Sequence, residues 1–472
     1  MEFCSFKPFF GHFGFELVTM LLKVDFPWGA GFEPLGDCGE NMRSFGISPK
    51  GFTTRRRLMT RSSILRSAAV IGASLLVLAA CSSSDEGSGD ATATPLKIGS
   101  MLPETGSLAF LGPPEFAGVD LAVQEINDGG GVLGAPVEHL RGDSGDTSTD
   151  IAQTTVDSHL AAGVGAIVGA ASSGVSFTVI DKITGAGVVH FSPANTSPDF
   201  TNYADNGLYF RTAPSDTFQG AVLGQLMANE GAQNAVILNL DDAYGNGLAK
   251  YAANAFTGTS TIITYNPQAT EFSAEVGKAK AAKPDAVALI GFAESTAVVQ
   301  EMIKQGIGPD KVKLYLVDGN YSNTAFKDLP AGIMTGVKAT LPGAAAPAEF
   351  QERLLAVDPS LTDFSYAAES YDAVMLIALA AQQGGATDGA TIAANLQSVS
   401  SGGEKCSSWA DCKALLDEGT DIDFDGVSGP VEFDENGEPS QATMGIYEYT
   451  ANDASVAKVD EFIVGAVPAP LP

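Results

Sequence analysis

Histidine, tryptophan and cysteine are scarce in this chain: four, two and five among 472 residues. The histidines (His12, His139, His159 and His190) fall at no spacing that would let imidazoles share a metal. The patterns HExxH, GxSxG and GxxxxGK[ST] are missing. With them go the ready-made signatures of zinc hydrolysis, of a nucleophile elbow and of a phosphate cradle. No enzyme, cofactor or metal is expected. Positive charge is also short, with 26 Lys and Arg against 56 Asp and Glu, a net −30. Residues 1–80 hold nine of those basic groups and six of the acidic ones, leaving 17 and 50, about −33, for the remainder. Such a surface repels phosphate backbones, so nucleic acid is excluded as a partner, and an acidic coat keeps the chain soluble. The apolar stretch Ala68–Ala80 is thirteen residues long, against about 20 needed to cross a bilayer as a helix.

That stretch suits the core of a signal peptide. Met59 opens MTRSSILRSAAVIGASLLVLAAC, with Arg61 and Arg66 ahead of the apolar part. Leu78-Ala79-Ala80-Cys81 resembles the lipobox of bacterial lipoproteins. The resemblance implies that the Cys81 thiol takes a lipid and becomes the new N-terminus after residues 59–80 are removed. The polar residues 81–95 then read as a flexible tether. Residues 1–58 fit neither a leader nor a periodic element. They are expected to be untranslated or unstructured, with translation starting at Met59 or Met42.

The rest alternates strands and helices. β-Rich apolar runs occur at 96–102, 136–140, 164–171, 187–192 and 208–212, and again at 234–240, 260–266, 284–292, 312–317 and 336–341. Between them lie helical patterns such as Pro114–Asn127, where Phe116, Val119, Val123 and Ile126 share a face, and Ser295–Gln305, ended by Gly306. This order predicts an α/β fold of two doubly wound lobes with parallel sheets, since one core rarely extends beyond about 300 residues. Ligands in such sheets sit at the carboxyl ends of the strands. The loops there are GSMLPETGSLAFLG, GAASSGVS, SPANTSPD, LDDAYGNG, GFAES and VDGNYS. They combine hydroxyls that can hold a carboxylate with the acids Asp241, Asp242 and Asp318. The same residue types are also common helix caps.

In order and spacing these loops, with YFRTAPSD and ESYDAV, resemble the branched-chain amino-acid-binding family of ABC-transporter solute receptors over residues 96–450. The resemblance implies lobes of 96–214 plus 343–430 and of 215–342 plus 431–465, joined by three crossovers. A ligand would be trapped between them and delivered to permease subunits. By motif, Ser173 and Thr196 fall where the family holds the amino acid's carboxylate, and the Ala194 carbonyl where it accepts from the ammonium. Tyr244 matches a ligand-contacting tyrosine, and Asp318 the acid that neutralises the ammonium. Phe292 and Tyr366 lie at aromatic wall positions. Leu111, beside Phe110, stands where several members carry an aromatic. A monomer, lipid-anchored to the outer face of the cell membrane, is the expected form. The alternative is a ligand-sensing module of a signalling system on the same fold, which would need an output domain or a partner surface.

Two further motifs have plainer readings. Gly129, Gly131 and Gly134 spell GxGxxG but follow a helix and precede a strand, the reverse of a dinucleotide site, so a turn is expected. Asp421, Asp423, Asp425, Gly426 and Glu432 have the spacing of a calcium loop. Pro430 interrupts it, no helix follows, and the resembled family carries a similar segment without calcium. With Cys81 lipidated, Cys406 and Cys412 in CSSWADC remain in an exported chain and are expected to form a disulfide.

Overall fold

The computed structural model describes residues 94–454 and 457–471. Cys81, the apolar segment before it and residues 1–58 lie outside the described residues.

The first lobe begins with β1 (Lys97–Leu102), α1 (Gly112–Asp128), β2 (Glu138–Asp143) and α2 (Ile151–Ala162). It continues through β3 (Ala166–Gly169), α3 (Ser173–Gly185), β4 (Val189–Ser192) and β5 (Tyr209–Arg211). All five strands are parallel, in the order β2-β1-β3-β4-β5. Strands buried on both faces carry continuous apolar runs, and β3 and β4 are buried at every position.

The chain then crosses to α4 (Asp216–Asn229), β6 (Asn234–Leu240), α5 (Ala243–Ala255), β7 (Thr259–Tyr265) and α6 (Ser273–Ala281). Next come β8 (Ala286–Ile290), α7 (Ser295–Gln305), β9 (Lys313–Val317) and β10 (Lys338–Pro342). A second crossing leads back to α8 (Ala348–Val357), α9 (Ala367–Gly384), α10 (Gly389–Val399), β11 (Glu404–Cys406), α11 (Trp409–Asp417) and β12 (Ile422–Phe424). A third brings β13 (Gln441–Glu448) and β14 (Lys458–Ala466) to the second sheet, whose order is β14-β13-β10-β9-β8-β6-β7. Here the structure adds to the sequence expectation of about five parallel strands. The pairs β10–β13 and β13–β14 are antiparallel and extend one edge to seven strands.

Helix α9 lies at the centre of the first lobe, and its first fifteen residues, Ala367–Ala381, are buried. Helix α1 reaches it closely because position 118 is glycine: a Cβ there would lie 2.2 Å from the Ala367 carbonyl oxygen. The glycines at 129–134 form the turn after α1, closed by a Val132–Ala135 bridge. Cys406 and Cys412 are disulfide-bonded, tying β11 to α11 with their Cα atoms 5.3 Å apart. In the calcium-like loop the acids have other employment. Asp423 and Asp425 both lie 2.9 Å from Lys405 Nζ, and Asp372 of α9 accepts from the backbone N–H of Val427 (2.9 Å) and Ser428 (2.7 Å).

In both sheets the strand order reverses beside the first strand, between β1 and β3 and between β6 and β8. Doubly wound sheets place ligands at this point. The loops after β1, β3 and β4 therefore face those after β6, β8 and β9.

Candidate functional site

Asp318 follows β9 and is buried. Its Oδ1 accepts from Gln219 Nε2 (2.9 Å) and Tyr244 Oη (2.8 Å), and its Oδ2 from Tyr366 Oη (2.7 Å). Burial raises its carboxyl above the usual range, and the bonds from Tyr366, Tyr244 and Gln219 oppose that rise. Burial and the Asp318 charge hold both tyrosine hydroxyls well above their ordinary value, so they stay protonated and donate. The Phe292 ring stacks on Tyr244 with centroids 5.5 Å apart. Tyr366 has φ +60°, a left-handed conformation that costs a non-glycine residue about 1 kcal/mol or more. That backbone sends its hydroxyl back to Asp318 from the start of α9.

The other two acids seen in the sequence serve the fold. Asp242 caps α5, its Oδ1 accepting from Gly245 N–H at 2.7 Å, and burial pushes its carboxyl up to about 6. Asp241 accepts from Asn246 Nδ2 at 3.0 Å.

From the first lobe, Ser173 opens α3, and its Oγ accepts from the Ser197 N–H at 3.3 Å. The Ala194 N–H is held by Ser192 Oγ at 3.2 Å. Thr196 Oγ1 lies 3.0 Å from Asp216 Oδ2, so this hydroxyl is engaged by a carboxyl group. Leu108 and Leu111 follow β1, yet they pack in one buried cluster with Ala194, Tyr244, Phe292 and Tyr366. Apolar contact therefore spans the cleft. Hydrogen bonds also cross it, among them Ser197 Oγ to the Ala243 carbonyl (3.1 Å), Ala293 N–H to the Ser107 carbonyl (3.3 Å) and Tyr366 Oη to Asp318 Oδ2. The lobes are closed on one another. Beside Phe292 a cavity of about 250 Å³ opens outward, lined by Phe110, Phe292, Thr296, Ser322 and Thr324.

The sequence reading missed the residues that shape the SPANTS loop. Asn195 Nδ2 donates to the carbonyls of Ala170 (3.0 Å) and Ala171 (2.9 Å). The fully buried Arg211 donates from Nη1 to the carbonyls of Asn195 (3.2 Å) and Ser197 (2.8 Å). Its Nη2 lies 2.6 Å from Glu438, which arrives on the third crossing. The Arg in YFRT was visible, but Glu438 is 227 residues away and carries no local signal.

The closed two-lobed α/β fold, with a carboxylate on one side of the cleft and a hydroxyl-rich loop on the other, defines a solute-binding protein. The periplasmic binding protein family model matches residues 95–454, and the chain belongs to that family. The Halobacterium salinarum chemotactic signal transduction system substrate-binding protein BasB is 30% identical over 356 residues, 72% of this chain and 83% of that one. A Leu/Ile/Val-binding protein homolog of Brucella abortus is 29% identical over 75% of this chain and 90% of its own length. Among solved structures, the branched-chain amino acid transporter substrate-binding protein LivJ of Streptococcus pneumoniae, in complex with isoleucine, is 25% identical. Its TM-score is 0.64, and the match covers 79% of this chain and 100% of that one. A 4-hydroxybenzoate-bound solute-binding protein of R. palustris shares the fold at 17% identity, with a TM-score of 0.65 and coverage of 80% and 98%. The family implies an extracytoplasmic location.

Proposed function

We propose that this chain captures a branched-chain or related small amino acid between its lobes and hands it to an ABC permease, carrying out no reaction itself. The observation that carries this reading is Asp318, a buried acid held by three neutral donors and, among the described residues, paired with no cation. An α-ammonium supplies the charge that such a carboxylate needs. Ser173 and the loop 194–196 face it from the other lobe, with Ser173 serving the ligand's carboxylate and the Ala194 carbonyl its ammonium. Phe292, Tyr366 and Leu111 enclose the side chain. The segments 96–214 with 343–430 and 215–342 with 431–465 act as the two bodies that close. Cys81 carries the lipid that holds a monomer at the outer face of the membrane.

The similarity to BasB favours one second reading, a receptor whose closed form is read by a signalling partner. Both readings share the ligand test. In a thermal-shift screen of amino acids, amides and benzoates, stabilisation by a true ligand follows RT ln(1 + [L]/Kd). Leucine, isoleucine or valine should raise the melting temperature. A response to benzoates but to no amino acid would overturn the proposal.

A further inference from the structure

Asp216, in the first turn of α4, is fully buried. Its Oδ2 meets Thr196 Oγ1, and its Oδ1 has no hydrogen-bond partner among the described residues. Gln219, nearly one turn further on, bonds Asp318, so a single helix start brings a second carboxyl group to the first. The titratable and charged groups acting on Asp216 are Asp318 after β9, Asp242 and Tyr244 at the start of α5, Tyr366 ahead of α9, and Arg211 on β5. Arg211 is already taken by Glu438 and two loop carbonyls.

We propose that Asp216 is the second acid of the ammonium subsite and a determinant of its specificity: paired with Asp318, it demands a primary ammonium and makes ligand binding expel a proton. The inference rests on the reading of the ligand as an amino acid. Two carboxylates close together in a dry site cannot both be charged unless a cation joins them, so the pair without ligand keeps one proton. Burial, then the Asp318 charge, holds Asp216 well above the usual carboxylate range. When an ammonium enters, one positive charge replaces another, and the displaced proton passes to solvent. An ionised Asp216 can only accept. The Thr196 hydroxyl proton therefore turns to it, leaving the Thr196 lone pairs to the ammonium N–H groups. A carboxylic acid of the same shape but without the amine brings no cation, so it must leave the proton in place.

Ligand favours the ionised pair, so affinity rises with pH through the pair's titration, and proton release fades above it. Titration calorimetry of L-leucine into the full chain, in two buffers of different ionisation enthalpy between about pH 5 and 8, reads both quantities. The expected result is release approaching one proton per leucine at the acid end, with affinity rising about tenfold per pH unit there. Asp216→Asn should abolish the release and the slope. It should also weaken leucine about tenfold or more at pH 8, with less loss for 4-methylpentanoate, which lacks the amine. The wild-type proton count stands even if the variant does not fold. Leucine binding with no proton release and a flat pH profile would overturn the role of Asp216 while leaving the amino-acid receptor intact. No leucine binding at any pH would instead overturn the receptor reading, and this inference with it.

Discussion

Asp318 shows how a side chain acquires a function from its surroundings. In the sequence it is one acid among 56. In the fold its partners are Gln219, Tyr244 and Tyr366, all neutral, so its charge is held in place without being cancelled. Asp318→Ala should weaken leucine binding by a factor of about 100 or more, the effect of stranding a buried ammonium, with calorimetry as the measurement. Glu369 carries a second expectation at this scale. It lies against the second crossing, where a Cβ on Gly343 would sit 2.2 Å from its Oε1, and burial pushes its carboxyl up from 4.5 to about 8. The folded chain thus keeps a proton that the unfolded chain releases above about pH 4.5. Stability linked to this group is fully present below that pH and is lost as pH rises through about 8. Glu369→Gln should flatten this dependence and raise the melting temperature at pH 8 above that of the wild type. Asp318 and Tyr244 stood out as candidates in the sequence because each sits in a short strand-end motif. Residue types could not reveal Asp216 or Gln219, because an acid and an amide in the first turn of a helix look like ordinary capping.

At the scale of elements, two ties hold segments that local propensity would leave loose. The Cys406–Cys412 bond closes a small loop between β11 and α11. Loop-closure entropy gives it about 2 kcal/mol, so reductant should lower the urea midpoint by a corresponding amount, and Cys412→Ser should make reductant ineffective. The Arg211–Glu438 pair joins the end of the first sheet to the third crossing with both side chains buried. Glu438→Gln leaves an unpaired guanidinium at the base of the SPANTS loop. It should cost about 3–5 kcal/mol in chemical denaturation and weaken ligand binding as well. Helix Ser295–Gln305 and the strands of both parallel series were legible from periodicity and from Gly306. The hairpin β13–β14 was not legible. Its outer strand exposes Val459, Phe462 and Val464, so the burial-driven alternation that marks a half-buried strand is missing.

For the whole molecule, closure is the property that links structure to function. The contacts across the cleft include Ser197 to Ala243, Ser107 to Ala293, Tyr366 to Asp318, and the packing of Leu108 and Leu111 with Tyr244 and Phe292. A ligand shifts such an equilibrium only by its preference for the closed form. Small-angle scattering should therefore show a smaller radius of gyration with saturating leucine than without it, and Asp318→Ala should remove the change. An unchanged radius, with leucine bound, would mean that closure does not depend on ligand.

The sequence by itself determined the class of fold, because apolar runs of strand length alternating with amphipathic helices bury their surfaces as parallel sheets covered by helices. It also determined which loops carry the chemistry, because strand ends in such sheets converge. Only the tertiary structure decided which acids are taken up by the fold and which are left at the cleft. Asp241 and Asp242 were taken up by local caps, Asp423 and Asp425 by Lys405, and Asp372 by a loop some 55 residues away. Asp318 was left with three neutral donors, and Asp216 with one carboxyl oxygen that has no partner among the described residues. The physical reason is that a carboxylate's role depends on the donors around it, and around Asp318 those donors arrive from segments up to 99 residues distant in sequence.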